Sequence, residues 1–124
     1  MARRVEDLIC WQLADQLRQL IITHTAEGTA AGKDFRFTSN LREAIASVTR
    51  NQAEGFAKYY HRPQKPYFKT ARSSLAEVKD CIRDGRLRGH FTDKLADEMT
   101  ALCGRASIAN LRYLKSLNRP DPPE

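Results

Sequence analysis

Four separate segments of this chain carry apolar residues at intervals of three and four, the spacing of one face of an α-helix. In the first, about 7–24, Cys10, Leu13, Ala14, Leu17, Leu20 and Ile21 recur in this way, with Trp11 on one flank. In the second, about 39–60, the stripe is Leu41, Ile45, Val48, Gln52, Phe56 and Tyr59. Phe68, Ala71, Leu75, Val78 and Ile82 make the third, about 65–84. The fourth, about 92–117, has Leu95, Met99, Leu102, Ala106, Ala109 and Leu114, widened by Ile108, Leu111 and Leu117. No useful stretch alternates with the period of two that a half-buried strand requires. A chain of 124 residues holds one core. The reading is therefore a single all-α domain, 1–124, an up-down-up-down antiparallel four-helix bundle with short second and third connections.

Local signals set the expected limits. Asp7 is available as a cap for the first helix, and residues 25–36, with Gly28 and Gly32, lack periodicity and read as a loop. Thr38-Ser39-Asn40 is a capping cluster, with Asn40 and Glu43 at capping-box spacing. Gly55 late in the second helix costs about 1 kcal/mol relative to alanine, which points to close approach of a neighbour there. Pro63 and Pro66 punctuate the next turn, Gly85 supplies a left-handed stop, and Thr92 caps the fourth helix. The proline-rich tail 118–124 reads as flexible. The apolar arc of the fourth helix is broader than one bundle seam requires, which calls for a second contact surface.

Net charge is +6, and it is unevenly placed. Residues 1–60 hold 8 basic and 7 acidic side chains, whereas residues 61–124 hold 13 and 8. Lys58 to Arg72 contains Lys58, Arg62, Lys65, Lys69 and Arg72, no acidic residue, and the aromatics Tyr59, Tyr60, Tyr67 and Phe68. Cations neutralise phosphates and exposed tyrosines stack on unpaired bases, so the candidate nucleic-acid-binding residues are Lys58, Tyr60, Arg62, Lys65, Lys69 and Arg72. The competing reading is a solvated helix end with core aromatics. Arg83, Arg86 and Arg88 form a second cluster, offset by Asp80 and Asp84.

Catalytic chemistry finds little footing. Bundle di-metal sites need Glu-x-x-His pairs on two helices, and the sequence has none; His24, His61 and His90 fall near helix ends. Ser73 and Ser74 have no histidine nearby, and Gly85 to His90 lacks the lysine and hydroxyl of a phosphate-binding loop. Cys10, Cys81 and Cys103 have neither disulfide nor zinc spacing and read as small core residues. No cofactor or metal is expected. The N-terminal stretch Met1 to Asp7 lacks an apolar signal core, and no apolar run approaches the roughly 20 residues of a membrane span. The expected location is cytoplasmic.

Two motifs remain, each with ionisable and small residues set in an amphipathic helix: Asn51-Gln52-Ala53-Glu54-Gly55-Phe56 and Ala71-Arg72-Ser73-Ser74-Leu75-Ala76-Glu77. With the two helices antiparallel about a turn near residue 63, Glu54 comes level with Arg72, and Glu77 with Thr49 to Asn51. The structural polar motif is thus Asn51, Glu54, Arg72 and Glu77, with a Glu54–Arg72 ion pair and Arg50 or Asn51 near Glu77, within or between subunits.

These residues carry a resemblance. The chain resembles the small proteins encoded in intervening sequences of bacterial large-subunit ribosomal RNA genes. Ser47, Asn51, Ala53, Glu54, Gly55 and Phe56 match that family's Ser-x-x-x-Asn-x-Ala-Glu-Gly-Phe. Residues 71–77 match its Ala-Arg-Gly-Ser-Leu-Ala-Glu with Ser73 for glycine, and Trp11, Gln12 and Ala14 match Trp-Gln-x-Ala. Gln52 and Thr49 stand where the family often has isoleucine and proline. The resemblance, over roughly residues 5–117, implies a four-helix bundle assembling into a ring-like homo-oligomer, typically a pentamer, without catalytic activity. The accessory protein of diversity-generating retroelements, which binds nucleic acid and a reverse transcriptase, is a distant relative. The expected function is a non-enzymatic, homo-oligomeric module engaging structured RNA or another nucleic acid. The alternative is a protein-interaction scaffold, or an accessory subunit for a protein such as a reverse transcriptase.

Overall fold

The computed structural model describes residues 2–123. Among these the elements are α1 (Ile9–His24), α2 (Phe35–Phe56), α3 (His61–Leu87) and α4 (Asp93–Ser116), with short 3-10 turns at Val5–Asp7 and Ala31–Lys33. The described residues are all-α, and none of their helices is long and apolar enough to cross a membrane.

Neighbouring helices are registered by specific polar contacts. Between α2 and α3, the Ser47 and Ser74 hydroxyls share a hydrogen bond of 2.9 Å. Further along, a Cβ on Gly55 would lie 2.8 Å from Tyr67 Cβ and 2.9 Å from the Phe68 ring. Those two contacts mean that the helices run in opposite directions, and that Gly55 lets them approach closely. Between α3 and α4, Asn110 Nδ2 donates to the Phe68 carbonyl (3.0 Å) and the Cys103 thiol to that of Leu75 (3.4 Å). Arg42 of α2 donates to Thr25 Oγ1 and to the Ile22 carbonyl, binding the last turn of α1.

The core falls into two apolar clusters. The larger contains Leu17, Ile21, Leu41, Ile45, Val48, Leu75, Val78, Ile82 and Met99. Leu8, Cys10, Phe68 and Leu117 make the smaller, at the end where the α2–α3 turn lies. Gln52 and Asn110 are both fully buried between them, joined by Gln52 Nε2 donating to Asn110 Oδ1 at 3.1 Å. Among the described residues Gln52 Oε1 has no hydrogen-bond partner, so the layer carries the cost of one unsatisfied buried acceptor. Its two bonds still fix which residues face one another.

Several expected boundaries shift. Asp7 does not cap α1: its carboxylate accepts from the backbone N–H groups of Arg3 and Arg4, and Leu8 occupies the cap position. α2 begins at Phe35, capped by Asp34, whose Oδ1 accepts from Phe37 N, rather than at 39 from Thr38, Ser39 or Asn40. It ends at Phe56, which leaves Tyr59 52% exposed rather than on the inward stripe. α3 starts at His61 instead of 65: Pro63 falls in its first turn, where a missing N–H costs least, and Pro66 is carried inside the helix. Gly85 is inside α3, under the rings of Phe37 and Phe91, and the left-handed residue is Gly89 (φ 77°). Thr92 caps α4 through Leu95 N, as its sequence position predicts.

The tail is the largest departure. Residues 118–123 are tied to the α2–α3 turn and the start of α3 by bonds that include Lys65 Nζ to Asn118 Oδ1, His61 Nδ1 to the Arg119 carbonyl, His61 N to Asp121 Oδ1, and Tyr59 Oη to the Pro123 carbonyl. Glu124 lies outside the described residues.

Candidate nucleic-acid interface

The basic run predicted over Lys58 to Arg72 occupies the α2–α3 turn and the first three turns of α3. Arg62, Lys69 and Arg72 are exposed and form no ion pair among the described residues. Lys58 is exposed, 5.6 Å over the Tyr67 ring. Lys65 is half-buried and bonded to Asn118. Tyr60 stands edge-on to Tyr59, their centroids 5.0 Å apart, and both rings are substantially exposed. Phe68 is fully buried against Tyr113, so it belongs to the core.

A cleft of about 480 Å³ runs between α3 and the tail, lined by Arg62, Lys65, Lys69, Arg119 and Asp121 among others. It brings four cationic side chains together with one carboxylate. Arg119 was not among the expected site residues, and neither were Arg112 and Lys115 of α4 at the same end of the bundle. A signal for them exists: from Met99 to Pro120 the sequence holds Arg105, Arg112, Lys115 and Arg119 without one acidic residue.

The second basic cluster differs in kind. Arg86 donates to Asp93 (2.9 Å) and Asp97 (3.1 Å), and Arg88 to Asp84 (2.8 Å) and Asp34 (3.1 Å). Asp34 also accepts from His90 Nε2 at 2.9 Å. That bond, with the Phe37 amide and the Arg88 charge, holds Asp34 below its ordinary carboxylate value. Asp84, hydrogen-bonded and close, raises the guanidinium of Arg88. Exposed pairs of this sort stabilise little, yet they cancel the local field.

The structural polar motif is rearranged relative to expectation. Asn51 Nδ2 donates to the Ser47 carbonyl and hydroxyl, so Ser47, Asn51 and Ser74 make one α2–α3 network. Glu54, Arg72 and Glu77 are all exposed, and within the chain Glu54 and Arg72 form no ion pair. Arg50 pairs with Glu43 (3.1 Å), not Glu77. The reason is register: Ser47 meets Ser74 and Gly55 meets Phe68, so Arg72 lies about one turn beyond the level of Glu54.

No group of three or more His, Cys, Asp or Glu that could hold a metal is gathered among the described residues. Ser73 Oγ is turned to the Lys69 carbonyl and Ser74 Oγ to Ser47. Burial pushes the Cys10 thiol up to about 12 and raises Cys81 and Cys103, which disfavours the nucleophilic thiolate.

A family model described as 23S rRNA-intervening sequence protein matches residues 6–109. The matched span runs from the first 3-10 turn well into α4 and includes both motifs. A search of curated proteins finds no match.

Proposed function

Because the chain belongs to the 23S rRNA-intervening sequence protein family, we propose that it is a non-enzymatic binding module that engages structured RNA through one basic end of its bundle. The observation that carries this reading is the contrast between the two ends. Arg86 and Arg88 are held by carboxylates, whereas Arg62, Lys69, Arg72, Arg112 and Lys115 are exposed or half-exposed with no acidic partner among the described residues. Unpaired cations attract phosphates, and Tyr59 and Tyr60 offer aromatic faces beside them.

The proposal extends to assembly. The helices alternate in direction around the bundle, and copies associate as a ring-like homo-oligomer, a pentamer by family resemblance, in the cytoplasm. Ile108 on α4 (55% exposed) and Ile9 on α1 support a surface that another copy covers. In that setting Glu54 and Arg72, unpaired within a chain, become available to pair between subunits. Nucleic acid other than RNA is a lesser variant of the same chemistry.

A second reading, a protein-interaction scaffold, is favoured by Phe35 (81% exposed) and Leu87 (70%), two large apolar side chains open to solvent at the far end. Titration of labelled structured RNA separates the two. Binding at about 50 mM salt should weaken linearly in log–log form as salt rises, and R62Q/K69Q should reduce the slope by about 2. Undetectable affinity at that salt would refute the RNA reading and leave the scaffold.

A further inference from the structure

Residues 118–123 form a strap across the basic cleft, and its chemistry is unlike that of a passive tail. His61 N, at the start of the 27-residue α3, donates to Asp121 Oδ1 at 2.8 Å, and Tyr60 at the cap position supplies no capping side-chain bond. The α3 terminus is thus capped by a carboxylate from 60 residues away. That carboxylate shares its cleft with Arg62, Lys65, Lys69 and Arg119. Beside it the strap's prolines close a hollow of about 800 Å³ floored by Phe56, Tyr59 and Tyr113. An anionic oxygen on a helix N–H among cations, next to apolar proline rings that share a hollow with aromatic side chains, parallels the two recognition elements of a nucleotide.

We infer that the strap is an internal competitor: Asp121 occupies the place of a backbone phosphate and the prolines that of bases, so a single-stranded RNA segment binds this cleft by displacing residues 118–123. The inference rests on the RNA reading above and adds its regulation. Charge favours the exchange, since Arg119 and Asp121 leave together with the strap and cancel one another, whereas Arg62, Lys65 and Lys69 stay in the cleft, and each added phosphate improves their balance. Anchorage is light as well. Nothing in 118–123 is buried, and the Asp121 side chain is 48% exposed, so the strap opens without disturbing either core cluster. Leu117, which is buried, marks the hinge.

The test uses the full chain and a fluorescein-labelled single-stranded RNA of mixed sequence, about 12 nucleotides long to match one such groove. D121N removes the competing charge. E98Q makes the same change in net charge on an exposed residue in the first half of α4, away from the cleft. D121N should tighten binding about threefold to tenfold, as expected for one charge a few ångströms from a phosphate, and E98Q by less than about twofold. Saturating RNA should also shift the amide signals of His61, Asn118, Arg119 and Asp121 in the wild-type chain and remove the exchange protection of His61 N–H. Binding by D121N no tighter than by E98Q, or a His61 amide still protected at saturation, would overturn the strap while leaving the RNA reading intact. Failure of all three proteins to bind this RNA at about 50 mM salt, where phosphate contacts are strongest, would overturn the strap, and failure of labelled structured RNA to bind at the same salt would remove the RNA reading with it.

Discussion

Replacing Gly55 by alanine sets two effects of opposite sign against each other. Helix propensity alone favours alanine in a helix interior by about 1 kcal/mol. Packing opposes it: the new methyl would sit 2.8 Å from Tyr67 Cβ and 2.9 Å and 3.1 Å from two atoms of the Phe68 ring. A Cβ moves only with its backbone, and the Phe68 ring is fully buried, with its centroid 4.5 Å from that of Tyr113. Neither neighbour can swing aside, so α2 and α3 must separate. Overpacking of this kind costs about 1–3 kcal/mol, and the net expectation for Gly55→Ala is a loss of up to about 2 kcal/mol. For a chain of this size that is a fall of up to about 8 °C in Tm. Urea and thermal unfolding followed by circular dichroism, at matched protein concentration, would measure it. Phe68→Leu should recover part of the loss in the double variant, with a coupling of about 1 kcal/mol. A Gly55→Ala chain more stable than the wild type would refute the close approach and leave propensity as the whole account.

Three further outcomes are expected. Asp34→Ala should lower Tm at pH 7, and the gap to wild type should close as pH falls below about 4. The sign follows from a folded-state value held under the ordinary 3.8, foremost by the His90 hydrogen bond: the contribution is complete above 3.8 and disappears as the pH drops through the folded-state value. A gap that stays constant from pH 7 to 3 would refute that linkage. Asn110→Leu should destabilise more than Gln52→Leu, by about 1–2 kcal/mol in urea unfolding, since Asn110 serves both Gln52 Nε2 and the Phe68 carbonyl. Ile108→Glu should leave helical content unchanged and reduce the mass seen by light scattering to that of one chain; an unchanged mass would remove α4 from the proposed interface.

What could be read from the sequence divides along the distance of the partner. Thr92 is recognisable as a cap because the amide it serves, Leu95 N, is three residues away. Asp34 looks weaker than the Asn40–Glu43 spacing until His90 and Arg88, more than 50 residues on, are seen to orient its carboxylate. The start of α3 depends on Asp121, so no local pattern around Pro63 discloses it. Gly85 and Gly89 are equivalent in sequence terms, yet rings from α2 and from the α3–α4 turn claim the first and a positive φ the second. The α2–α3 register follows from the length of the turn, and ending α2 at Phe56 moves Glu54 off the level of Arg72. Within the candidate site, the α3 cations are legible as a continuous run. Arg119 is not, because a proline-rich composition suggests a loose tail and gives no hint of its anchors.

Net charge describes the whole chain, whereas binding depends on which cations remain uncompensated. At the far end, Asp34, Asp84, Asp93 and Asp97 lie within 3.1 Å of Arg86 or Arg88, so their fields cancel well inside a Debye length of about 8 Å. At the near end Asp121 answers four cations in one cleft. The excess is therefore polar along the bundle axis, and the sequence's lopsided halves underlie only part of it, since Arg83 to Lys94 belongs to the same basic half yet lies at the compensated end. In the ring proposed above, copies related by rotation about an axis near the bundle direction would present every uncompensated end on one side. Contacts too weak to hold one RNA segment singly would then act together, because the second and later contacts form at the high local concentration that the first creates. Steep salt dependence and loss of binding on dissociation of the ring are linked consequences of that geometry. A single-copy variant such as Ile108→Glu, if it kept full RNA affinity, would separate them and leave the cleft of one chain as the sufficient unit.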